Sequence, residues 1–205
     1  MALPIQILRL DLVMEPFGAL ISFVIAYYAL KAYRLSSERS LLYLYFGFAA
    51  LGVGMASRFL ATFYLLVIFR VRDVFWTGLL EASGLVYGLL RILAYAFFTA
   101  AYAGQARKVK GEALPAVLPF IVNPFFDFIS VTMLIYITVQ SAINFTLTKR
   151  ADSFLVFIGF LLILFSHVFF MLALIIDDYY FIGHITQLLG LIAMLTMLIK
   201  VSKSK

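Results

Sequence analysis

Residues 107–127 read RKVKGEALPAVLPFIVNPFFD, and the topology of the whole chain turns on whether this stretch crosses a membrane. It holds Pro115, Pro119 and Pro124, three of the chain's five prolines. Long apolar runs lie on both sides of it. The chain has 205 residues, 65% hydrophobic and 13% charged, where a soluble domain is nearer a quarter charged. Such a surface is built for lipid, so the expected partner is a bilayer. The net charge of +6 does not point to nucleic acid. Lys and Arg sit just beyond the apolar runs, where they set orientation. There is no cysteine, which removes thiolate metal sites and cysteine nucleophiles.

Arg9 and Asp11 interrupt the first apolar run, and no small-residue cleavage site follows, so the start does not read as a cleaved signal. Residues 4–15 read instead as a short interfacial leader. Pro16 is expected in the first turn of the first span, where its missing N–H costs nothing. Clear spans cover residues 17–30, 41–69, 74–102, 125–147, 154–176 and 179–199. Lys31, Arg34 and Arg39 place the first loop in the cytoplasm. If 114–123 does not cross, Lys149, Arg150 and the basic tail fall outside and Asp177 and Asp178 inside, against the charge rule. If it crosses, all three agree with the rule.

The expected fold is therefore an all-α integral membrane bundle of seven transmembrane helices in a 3+1+3 plan. Its N-terminus lies outside and its C-terminus in the cytoplasm. The first three-helix unit is 1–106, the short linking crossing 107–124, and the second unit 125–205. Six helices plus a re-entrant segment is the alternative. The expected location is the cytoplasmic membrane, multi-pass.

A 3+1+3 chain runs its two units in parallel, so a duplication would leave parallel similarity. Pro16-Phe17, Ile21-Ser22 and Tyr28 match Pro124-Phe125, Ile129-Ser130 and Tyr136 at one offset. Gly47-Phe48 matches Gly159-Phe160, and Ser57-Arg58 falls like Ser166-His167. Glu81-x-x-Gly84-Leu85 is matched to Gln187-x-x-Gly190-Leu191. Shared apolar composition without duplication explains such matches equally well. The arrangement resembles the seven-helix plans of SWEET-type sugar carriers, KDEL receptors and microbial opsins. It also has the look of small archaeal membrane proteins and membrane sensor modules. The resemblance is one of topology and implies no site residues. The Pro-Gln dipeptide of PQ-loop proteins is missing, and Lys200 lies at the end of the last span rather than where a retinal lysine would sit.

Charges inside spans are the pointers to function, at about 2.5–3.5 kcal/mol each for a central position on insertion scales. Arg58, Glu81, His167, His184 and Gln187 fall at similar depth and are expected to line one ligand-binding pocket in the outer half. Arg91, Gln140 and Asn144 form a candidate second, inner cluster. For each, interhelical packing competes with ligand binding. Trp76, Tyr179 and Tyr180 read as interfacial anchors. No phosphate loop, hydrolase triad or HExxH spacing occurs. The expectation is a non-enzymatic membrane protein with no catalytic residue, no metal site and no cofactor. It would bind, and by extension transport, a small solute or ion. The alternatives are a structural or sensory subunit with a membrane-protein partner or a second copy of itself, and a bis-histidine haem or metal protein.

Overall fold

The computed structural model describes residues 5–64, 77–106, 126–173, 175, 176 and 178–203. Six helices fill them: α1 (Ile5–Ser36), α2 (Arg39–Phe63), α3 (Thr77–Ala106), α4 (Phe126–Thr148), α5 (Ala151–Leu172) and α6 (Asp178–Lys203). All six are long and apolar enough to span a membrane. The outward faces carry Phe17, Leu20, Tyr27, Leu89, Leu147 and Leu189, all exposed. The interior holds Asp11, Glu15, Arg91 and both histidines. A chain that exposes its leucines and buries its charges is arranged for lipid.

The helices pack as a closed ring in chain order, with α1 against α6 completing it. The α1–α2 and α4–α5 turns are built alike. Ser37 and Lys149 adopt left-handed backbone at φ 55° and 52°. In each, the N–H closes the helix by bonding the carbonyl four residues back, Ser37 to Tyr33 and Lys149 to Phe145, as in αL helix caps. Both turns lie at the end of the bundle where Lys31, Arg34, Arg39, Arg150 and Lys200 gather, here termed the basic face. The opposite, acidic face receives the starts of α4 and α6 at Asp127 and Asp178.

α3 and α4 run parallel. Phe126 and Asp127, at the start of α4, lie against Gly88 and Arg91 of α3. Towards the other end, Tyr102 and Asn144 line one cavity. The chain therefore leaves α3 at the basic face and enters α4 at the acidic face. The expected short crossing, 107–124, lies outside the described residues.

The first helix corrects the expected leader. α1 runs without a break from Ile5 through Pro16 to Ser36. Pro16 is an interior residue, so Asp11 and Glu15 belong to the span and not to an interfacial segment. On a 3.6-residue period Asp11, Glu15, Gly18 and Ser22 share one stripe, and all four are buried.

The register of the last helix also differs from the sequence match. A side chain at Gly190 would collide with the Gly159 carbonyl oxygen, at 2.8 Å. One at Gly84 meets nothing within 4 Å. The two glycines hold different places. Gly47 packs on Ala94 and Phe98 as Gly159 packs on Gly190 and Met194, so the counterpart of Gly190 is Ala94.

Candidate functional site

Asp11 is the centre of the first buried cluster. Its Oδ2 accepts from Arg58 Nη2 at 2.9 Å. Its Oδ1 accepts from the Tyr180 hydroxyl and lies 3.2 Å from His184 Nε2. Tyr180 also contacts Arg58 Nη2 at 2.8 Å. One turn on, Glu15 Oε1 lies 3.7 Å from Arg58 Nε. Asp11, Glu15 and His184 each present one ligand atom within 4.8 Å of the others, and so form a set able to hold a metal ion.

Asp127 is the centre of the second. It accepts from Arg91 Nη2 at 2.7 Å and faces His167 Nδ1 at 3.4 Å. His167 Nε2 sits 2.5 Å from the Tyr95 hydroxyl. With Tyr95 donating to Nε2, the ring proton would lie on Nδ1, the nitrogen that faces Asp127 without an aligned hydrogen bond.

The two clusters are built to one scheme. Each has an aspartate on the first helix of a trio, α1 or α4. Each takes one basic side chain from the second helix of that trio and one from the third helix of the other. For Asp11 these are Arg58 and His184; for Asp127 they are His167 and Arg91. Arginine and histidine have changed places. Tyr87 joins the clusters: its buried ring lies 5.3 Å from the Arg58 guanidinium and 5.2 Å from that of Arg91, both within cation–π range. The result is a polar belt to which all six helices contribute, set in the acidic-face half.

Below the belt is an aromatic layer. Tyr95 leads to Phe98 at 6.1 Å, Phe98 to Phe48 at 4.6 Å and to Phe160 at 5.5 Å. All four are fully buried. Beyond Phe48, a cavity of about 170 Å³ lies at the basic-face end, lined by Glu38, Tyr102, Asn144, Asp152, Ser153 and Met197 among others. Lys200 Nζ pairs with Asp152 at 3.0 Å.

The residues expected in one outer pocket are therefore divided. Arg58 and His184 meet at Asp11. His167 belongs to the Asp127 cluster. Gln187 is buried beside Tyr87. Glu81 is exposed on α3, outside the belt. Of the second set, Arg91 is in the belt, Asn144 lines the cavity at the other end and Gln140 is half-buried on α4; the three do not form one cluster. Asp11, Glu15, Asp127, Tyr87, Tyr95 and Tyr180 are the residues that sequence reasoning left out of the site. The i, i+4 spacing of Asp11 and Glu15 was the available signal. A haem between the histidines does not fit: the Phe170 ring packs against both imidazoles, at 6.0 and 5.0 Å.

No family model, curated protein or solved structure matches the chain.

Proposed function

We propose that this polytopic membrane protein is a small-solute carrier of two three-helix units, with the solute entering the basic-face cavity and the belt acting as the seal on the other side. The basic face lies in the cytoplasm and the acidic face outside, in the cytoplasmic membrane. The observation that carries this reading is an asymmetry among the described residues: a cavity opens at the basic-face end, and paired charges with an aromatic layer fill the interior beyond it. Closed charge pairs at a helix ring are suited to a gate, because they can exchange partners or hydrate when the units rock.

The two units would be copies. The matching left-handed turns at Ser37 and Lys149, the buried Ser22 and Ser130, and the reciprocal aspartate clusters support a duplication. The linking crossing expected at 107–124 would then make the copies parallel. Phe126 is level with Gly88, so the chain must return past some 18 residues of α3, about 27 Å at 1.5 Å per residue.

The cavity, about 170 Å³ where the described residues line it, suits a small solute. The test is a thermal-stability screen of purified protein against monosaccharides, amino acids and short carboxylates, repeated on Ser153→Trp to fill the cavity. A solute that stabilises the wild type and leaves the variant unmoved supports the carrier. Equal stabilisation of both, or of neither, favours a structural or sensory subunit.

A further inference from the structure

We propose that Asp11, Glu15 and His184 form a binding site for a transition-metal dication of the zinc or manganese class, distinct from the solute cavity. The three side chains come from α1 and α6, and each is at most 4% exposed. Their ligand atoms lie within 4.8 Å of one another. His184 Nε2 is 3.2 Å from Asp11 Oδ1, close to the ~3.3 Å edge of a tetrahedron with metal–ligand bonds of about 2.0 Å. Small side-chain adjustments would bring the third atom to that distance.

Two observations point to a cation rather than to packing alone. The first is His184 itself. Its Nε2 is buried within the bundle and makes no aligned hydrogen bond, although it is aimed at the aspartate oxygen. Native buried polar atoms are seldom left so, and an imidazole nitrogen facing carboxylate oxygen across about 3 Å is the geometry of two ligands sharing one ion. The second is charge. Among the described side chains of the belt, Asp11, Glu15 and Asp127 face the guanidiniums of Arg58 and Arg91. Asp127 is matched by Arg91. Asp11 and Glu15 share one guanidinium, that of Arg58, with the His184 imidazole beside Asp11; with that imidazole neutral, as a metal ligand is, one carboxylate is in excess where lipid surrounds the bundle. An unbalanced buried charge is costly, and a bound cation offsets it. Two oxygens and one imidazole nitrogen suit Zn²⁺ or Mn²⁺ and not an alkali ion. Arg58 bonds Asp11 Oδ2, and Oδ1, which accepts from the Tyr180 hydroxyl, turns its second lone pair towards the histidine. The Asp127 cluster serves as an internal comparison: His167 Nδ1 also faces its aspartate without an aligned hydrogen bond, but there is a single carboxylate, matched by Arg91, so no excess charge calls for an ion.

The test uses the whole purified chain in detergent, stripped with a chelator. Zn²⁺ is titrated in competition with a chromophoric chelator, and Co²⁺ is followed by its visible absorption. The expected result is one ion per chain, with tetrahedral Co²⁺ bands. Glu15→Gln removes the excess charge without leaving a cation unpaired, so it keeps the fold, and it should weaken Zn²⁺ by at least about 100-fold, as loss of a direct ligand does. His184→Gln should do the same. His167→Gln should leave the affinity unchanged, and Arg58→Gln, which removes the competing positive charge, should raise it. Wild-type affinity no greater than that of Glu15→Gln would overturn the site, as would loss of binding in His167→Gln in place of His184→Gln. Neither result touches the cavity at the opposite face, so the carrier reading stands or falls separately.

Discussion

Removing the Asp127 carboxylate strands Arg91. The Arg91 side chain is 7% exposed and lies 2.7 Å from Asp127 Oδ1. Its Nε has no hydrogen-bond partner, and its other neighbour is the Tyr87 ring at 5.2 Å. At about 4 Å between charge centres, an effective dielectric of 20 gives about 4 kcal/mol of attraction. Deleting one member of a buried pair costs about 3–5 kcal/mol, because the other is left uncompensated. Asp127→Ala is therefore expected to destabilise the bundle by about 3–5 kcal/mol. Arg91→Met should cost less, about 1–2 kcal/mol, in the ordinary range of single substitutions. The Asp127 side chain it leaves behind is 38% exposed and can hydrate. In the double variant no charge is stranded, so the two losses should fall short of their sum by about 2–3 kcal/mol, at the upper end of measured couplings. Equilibrium unfolding in mixed micelles of rising SDS fraction, followed by far-ultraviolet circular dichroism, measures all four proteins. A cost below about 1 kcal/mol for Asp127→Ala, the range of a solvated surface pair, would refute the reasoning. Strict additivity in the double variant would refute it too.

Three further expectations lie outside the belt and a fourth within it. Gly190→Ala should destabilise by about 1–3 kcal/mol through overpacking, since its new methyl meets the Gly159 carbonyl oxygen at 2.8 Å. Gly84→Ala has open space and should stabilise by up to about 1 kcal/mol from helix propensity; the same SDS titration ranks the pair. Lys149→Gly relieves a side chain at φ 52° and should gain about 1 kcal/mol, read as a higher unfolding midpoint. Tyr87→Leu removes the ring shared by Arg58 and Arg91. It should cost more than about 2 kcal/mol, two desolvated cation–π contacts at about 1 kcal/mol or more each; a loss under half of that would show that the two arginines are held by their carboxylates alone.

The spans were legible because lipid imposes a simple pattern: about 20 apolar residues for each crossing, with Lys and Arg at one set of ends. All six helices fall where those runs lie. The site was legible only in part. Arg58, His167 and His184 stood out as polar residues within apolar runs. Asp11 and Glu15 did not, because Arg9 precedes them and Pro16 follows, and together these imitate a polar leader before a helix start. A proline inside a long helix gives up one backbone hydrogen bond, and α1 accommodates that loss. Glu81 shows the opposite case. Depth in the chain is not depth in the bundle: the first turns of α3 stand exposed at Glu81, Ala82 and Gly84. Tyr180 has the position of an interfacial anchor, and only tertiary packing turns its hydroxyl to Asp11. Partner choice across helices 169 residues apart in sequence, as between Asp11 and Tyr180, leaves no local mark.

Two three-helix units running in parallel require the connection between α3 and α4 to pass from one face to the other. The chain has no cysteine, so single cysteines report cleanly. Lys108→Cys and Asn123→Cys, each labelled with a membrane-impermeant maleimide in vesicles of known orientation, measure that passage directly. Lys108→Cys is expected to label only from the cytoplasmic side and Asn123→Cys only from the outside. Labelling of both from the same side would contradict the parallel arrangement.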